Sequence, residues 1–396
     1  IYNHSELSNK YNANLRLRYL LLLISISLSG CVGEGDSSAD IDTTRLDDSS
    51  NSTICSVSEG VNWPALLSED INDLCSKLSD YKLFSDASDP RLGANVGGIS
   101  YEINSQLFTD YARKYRYLYI PNNEHAAYSK DEVFDFPVGT VLAKVFSLPA
   151  DTEKTEEDII EVRLMIHRSS GWVGLPFVWD DSLKEGFLDL NGESIEFSLV
   201  HKGKEYSDHY SVPPYGSCRT CHQFNGSMSL IGLKARNLNK SIEFEGESIN
   251  QLQLWTQKGL LSGLPVDSIE IDLAPDWQDD SKDIEDRAKS YLDINCAHCH
   301  REEGAASLSG LKLEYGRKSV DYNHGVCNSS HGWRGGGFDI WPGDSTNSSM
   351  PLRMTLSAAP DRMPPLGRSI VDVEAVELIR QWIDSMPYQE CAEQGG

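Results

Sequence analysis

Residues 284–300 read Ile-Glu-Asp-Arg-Ala-Lys-Ser-Tyr-Leu-Asp-Ile-Asn-Cys-Ala-His-Cys-His. Ile284, Ala288, Tyr291 and Leu292 share one face at helical spacing, and the stripe runs directly into Cys296-Ala297-His298-Cys299-His300. Two thiols three positions apart on a helical turn can both reach the two vinyl groups of one porphyrin, and the adjacent histidine then points at the iron from the same side. This is the spacing of covalent c-type haem attachment. The same pattern stands at Cys218-Arg219-Thr220-Cys221-His222. The expectation is therefore two covalently bound haem c groups. Cys218, Cys221, Cys296 and Cys299 would attach them, and His222 and His300 would be the iron ligands. Two other readings compete: the two pairs of cysteines could together build one all-cysteine zinc site, or each pair could close as a disulfide.

Met363 lies 63 residues beyond His300, in Arg362-Met363-Pro364-Pro365-Leu366-Gly367. A thioether is a soft, neutral axial ligand, and two following prolines stiffen its loop. The chain then gives a strong helical signal: Asp372 as cap, Glu374 in the first turn, Val376, Ile379, Ile383 and Met386 on one face, and Pro387 as stop. Helix, CxxCH, long loop, Met-Pro-Pro and C-terminal helix make residues 283–390 resemble a small class I cytochrome c. The resemblance implies His300 as proximal and Met363 as distal ligand, with Met350 and Met354 as competitors. No Met-Pro-Pro follows the first motif. Its sixth ligand could come from Met228, His167, His201 or His209, or the position could stay open.

Upstream the period changes. Ile160, Val162, Leu164 and Ile166 alternate with Glu161, Arg163, Met165 and His167, as half-buried strands do. Ile195, Phe197 and Leu199 alternate likewise, and Asn191-Gly192 marks a turn. The fold class expected is multidomain α+β, with an N-terminal antiparallel, sandwich-like β domain followed by a mostly α-helical cytochrome c-type domain. The segments would be a lipoprotein signal (1–30), an acidic disordered tether (31–60), a helical segment plus the β domain (61–210), the first haem region (211–262), a linker (263–282) and the cytochrome c domain (283–396). Ser248 with Gln251 reads as a capping box for a helix ending at Gly259. Trp172 and Trp179 are expected in the β core or its rim. Gln106-Leu107-Phe108-Thr109-Asp110-Tyr111, Phe136-Pro137-Val138-Gly139-Thr140 and Asn250-Gln251-Leu252 are similar to stretches of an uncharacterised bacterial family of two-CxxCH haem lipoproteins. That resemblance implies a β region, a mid-chain CxxCH and a C-terminal cytochrome domain.

Near the start, Lys10, Arg16 and Arg18 precede an apolar run from Tyr19 to Leu28 that is shorter than the roughly 20 residues a spanning helix needs. It ends in Leu28-Ser29-Gly30-Cys31, which resembles a bacterial lipoprotein signal and implies a lipid anchor on Cys31. Val32 in place of an aspartate favours the outer membrane by the same resemblance, with the protein on the periplasmic side. Four further cysteines remain, Cys55, Cys75, Cys327 and Cys391. An oxidising compartment suggests two disulfides among them, and Cys55–Cys75 with Cys327–Cys391 keeps each pair within one module.

A net charge of −25 argues against nucleic acid as a partner, because phosphate contacts need clustered Lys and Arg. It suits docking to a basic redox partner. Single-electron transfer between periplasmic proteins is the function expected first, with an electron carrier favoured over a catalyst. The alternative is a di-haem peroxidase or oxidase with an open haem at His222. A third reading makes the β domain a binding module using Trp172, Trp179 and Trp255.

Overall fold

The computed structural model describes residues 53–56, 59–267, 270–358 and 360–392. The expected signal, Cys31 and most of the tether lie outside them. Among the described residues no helix is long and apolar enough to cross a membrane.

Six strands run as an antiparallel meander: β1 (Gly98–Ser100), β2 (Arg113–Tyr119), β3 (Val141–Pro149), β4 (Glu157–Arg168), β5 (Gly171–Asp180) and β6 (Glu185–Leu188), adjacent in chain order. Alternation gives this sheet two chemically different faces. Tyr117, Ala143, Val145, Val162, Leu164, Leu175 and Phe177 form one, packed under Leu66, Leu78, Tyr81 and Leu83 of the preceding segment. The Cys55–Cys75 disulfide staples that segment. The opposite face carries Arg116, Lys144, Glu161, Arg163, Met165 and Gly174. It is partly covered: Glu161 and Arg116 are buried, while Lys144, Arg163 and Met165 are half-buried. The polar side of the alternation in β4 is therefore not a solvent face. A hairpin, β7 (Glu193–His201) with β8 (Lys204–Val212), packs Leu199, Tyr210 and Val212 on Phe146 and Ile160.

The sandwich-plus-helical-domain expectation is corrected. Among the described residues one six-stranded sheet is accompanied by four two-stranded ones, the hairpin among them, and strand (27%) exceeds helix (22%). The described residues fall in a single compact unit. Nor is the C-terminal part mostly helical. Its helices are α2 (Ile284–Asn295), α3 (Ser349–Thr355) and α4 (Val373–Ser385), preceded in the chain by α1 (Cys218–His222) at the first motif. Between Cys299 and Ser349 only short 3-10 turns form, because stretches such as Asn328-Ser329-Ser330 and Gly335-Gly336-Gly337 carry no apolar period to bury. The Cys327–Cys391 disulfide closes this region onto the end of the chain. Residues 263–282 also pack inward, with Ile271, Ala274 and Trp277 buried. The short helix Gln251–Gln257 is capped by Asn250, whose Oδ1 accepts from Leu252 N and Gln253 N; Ser248 lies in a strand instead.

α2 and α4 share the C-terminal core, Ala288, Tyr291 and Leu292 against Ala375, Ile379, Trp382 and Ile383. Asp372 caps α4, its Oδ1 accepting from Ala375 N at 3.1 Å, while Oδ2 is buried without a hydrogen-bond partner. Burial pushes this carboxyl up to about 6. A raised carboxylate pKa means that the fold loses stability as pH rises from about 4 through about 6. Asp372→Asn keeps the cap and removes the buried charge. It is expected to stabilise the protein by about 1 kcal/mol at pH 7 and by almost nothing at pH 4. Urea unfolding at the two pH values checks this; an equal effect at both would refute it.

Candidate haem-binding site

Both motifs sit where a helical turn is already made. In α1, Cys218–His222 is itself helical. In the second, the amides of Cys299 and His300 donate to the Cys296 carbonyl at 3.1 and 2.9 Å, one turn beyond α2. Each turn brings its two thiols and its imidazole together, as attachment to one porphyrin requires.

The tertiary fold then brings the two turns together. All seven residues singled out in the sequence line one cavity, open to solvent: Cys218, Cys221, His222, Cys296, Cys299, His300 and Met363. Its floor is the charged face of the sheet, and Pro364, Pro365 and Leu366 border it beside Met363.

The motif histidines are presented as ligands. His222 Nδ1 donates to the Ser229 carbonyl at 2.7 Å, and Ser229 N returns a bond to the His222 carbonyl at 2.6 Å. His300 Nδ1 lies 2.9 Å from Ser309 Oγ. With Nδ1 engaged, Nε2 is the free coordinating atom on each ring. Burial pushes both imidazoles down to about 4, so both are neutral at pH 7, as ligation requires.

The four motif thiols are free and do not converge on one point. Cys221, Cys299 and His298 place their ligating atoms within 4.8 Å of one another. Cys218 instead lies against the sheet: a Cβ on Gly174 would sit 3.2 Å from its Sγ. Cys296 packs at the C-terminal core. This arrangement does not fit a zinc site built from all four thiols, and no disulfide closes within either pair. Burial raises the Cys218 and Cys296 thiols, the latter to about 12. The hydrogen bond between Cys299 and Cys221 holds Cys221 down and pushes Cys299 up. The donor set, two neutral imidazoles each beside two free thiols on one turn, fits covalent haem c.

Met363 is held by a clamp. Arg368, buried, donates Nη2 to the carbonyls of Met363, Met354 and Leu356 at 2.8–3.0 Å. Asp110 Oδ1 accepts from Ser369 N and Ile370 N at 2.7 and 2.9 Å, tying this loop to the β region. Met350 and Met354 do not line the cavity; both are buried in the C-terminal core. The sixth-ligand candidates for His222 also lie elsewhere. His167 stacks on Trp172 and donates to the Phe136 carbonyl at 2.9 Å. His201 Nε2 is 2.6 Å from Glu374. His209 is exposed on β8, and Met228 pairs in a two-residue strand. Trp179 and Trp255 are core residues, which leaves the binding-module reading little surface.

Sequence reading missed Gly174, His298, Ser229, Ser309, and the cations Arg116, Lys144 and Arg163. The charges on the strands were the available signal, since lysine and arginine interrupt otherwise apolar runs. No family model, curated protein or solved structure matches the chain.

Proposed function

We propose that the protein is an exported c-type cytochrome that carries two haem c groups and relays single electrons between redox proteins. One observation carries this reading: two CxxCH turns, distant in sequence, open with Met363 onto one cavity. Bound at these motifs, haem supplies reversible one-electron chemistry at iron. The chain's own residues do the rest. Cys218 and Cys221, and Cys296 and Cys299, attach the groups. His222 and His300 ligate through Nε2, oriented by Ser229 and Ser309. Met363 completes the site of the second motif. The approach of Cys221 to Cys299 keeps the two attachment points adjacent, which suits a relay. Residues 1–31 would export the chain and anchor it by lipid on Cys31 to the outer membrane, facing the periplasm. The acidic surface would dock basic redox partners.

A second reading is a di-haem peroxidase or oxidase. It is favoured by one fact, that neither His167, His201, His209 nor Met228 lines the cavity near His222. Pyridine haemochrome quantification with optical and EPR spectra decides between the two. Two haems per chain, both low-spin, support the carrier. Two haems with one high-spin signal that shifts with cyanide support the enzyme. Absence of haem after expression with a working maturation system overturns both.

A further inference from the structure

Three cations face the cavity in a row. Arg116 on β2 is the direct cross-strand partner of Lys144 on β3, and Lys144 is the direct partner of Arg163 on β4. All three line the cavity. Like charges directly opposite one another destabilise a sheet. Burial magnifies the cost, because water no longer screens the charges. Arg116 is buried and Lys144 and Arg163 are half-buried, so a row of this kind favours negative charge close by.

The chain supplies one such charge. Glu161, buried beside Arg163, accepts from Arg163 Nε at 2.9 Å and also from the Tyr210 hydroxyl. Among the described residues, the acceptors hydrogen-bonded by Arg116 are neutral, the Lys114 carbonyl at 3.2 Å and Gln106 Oε1 at 3.3 Å. Lys144 has no carboxylate or hydrogen-bond partner among the described residues; its Nζ rests 4.9 Å from the centre of the Phe146 ring. Among the described residues, neither Arg116 nor Lys144 has a carboxylate within hydrogen-bond reach; Glu102 and Glu161 act on them only at longer range. The surroundings are otherwise apolar, with Leu142, Phe146 and Met165 on the same face. Such a setting strengthens any carboxylate contact that forms there.

We propose that the row Arg116–Lys144–Arg163 is a carboxylate-binding seat inside the cavity. Carboxylates reach it from one of two sources: side chains of the bound porphyrin, or a free dicarboxylate entering from solvent. The first source rests on the haem reading; the second does not. Burial and the neighbouring cations lower the Lys144 ammonium well below its ordinary range, so a bound carboxylate would restore its charge.

The test compares the full-length protein with Lys144→Met, which keeps an unbranched chain and removes the like charge. Haem per chain, the midpoint potentials and thermal unfolding in a succinate titration are recorded, with chloride at matched ionic strength as control. If porphyrin carboxylates fill the seat, both proteins carry two haems and succinate has no effect. One midpoint potential then falls in Lys144→Met. If a free dicarboxylate fills it, succinate raises the unfolding temperature saturably, and Lys144→Met weakens that response by about tenfold or more. Absence of haem in both proteins would count against the haem reading alone, and the succinate series would still decide this one. Equal potentials together with no succinate response would overturn the proposal.

Discussion

Replacing Asp293 with alanine is expected to cost the fold about 3–5 kcal/mol, the largest single-site effect on stability anticipated in this protein. Asp293 lies on α2, three residues before Cys296, and its side chain is 2% exposed. Its carboxylate takes Arg236 Nε at 3.0 Å and Nη2 at 2.8 Å as a two-point pair, and it also accepts from Tyr315 N at 3.1 Å. Burial would raise this carboxyl, but Lys234 and Arg236 outweigh it and hold it below its ordinary range. The pair therefore stabilises the fold at neutral pH and is lost as pH falls below about 4. Alanine would leave the Arg236 guanidinium buried and unpaired. Changing both partners to apolar residues, Arg236→Met with Asp293→Leu, should recover most of the loss. Urea unfolding followed by circular dichroism measures both variants. A loss under about 1 kcal/mol for Asp293→Ala would show that water reaches the guanidinium.

At the proposed haem site, Met363→Ala is expected to have the largest effect. One of two low-spin signals should become high-spin, and its midpoint potential should fall, because a thioether ligand raises the potential. Met350→Ala and Met354→Ala should behave in the opposite way. Both side chains are core residues away from the cavity, so each should cost about 2–5 kcal/mol of stability and leave the spectrum unchanged. The three variants together separate ligation from packing. A spectrum unchanged in Met363→Ala, or altered only in Met354→Ala, would move the distal ligand. Arg368→Ala should give an intermediate outcome, with the ligand present but loosely held, since four carbonyls lose one shared donor.

How much could be read in advance follows the range of the interactions involved. α2 and α4 were legible, α4 with its cap at Asp372, because caps and apolar stripes are written within a few residues. β4 of the meander and β7 of the hairpin were legible as strands for the same reason. The helical domain was not: a helix at each end of residues 283–390 resembled a helical whole, but the Gly-, Ser- and Asn-rich stretch between them holds its shape by the Cys327–Cys391 closure and loop hydrogen bonds. The helix cap at Asn250 was misplaced by two residues because a Ser-Ile-Asn strand runs straight into the turn.

By itself the sequence determined the local geometry of each motif, because both thiols and the imidazole of a CxxCH turn lie within five residues and need nothing distant to take shape. It also marked Met363, through the prolines that follow. Only the tertiary structure decided that the two turns face one cavity, that Cys221 meets Cys299, and that Met363 rather than Met350 or Met354 is turned toward it. Only the structure aligned Arg116, Lys144 and Arg163. Their row depends on the register of three strands, and a shift of one residue in any of them would turn that strand's cation to the opposite face of the sheet.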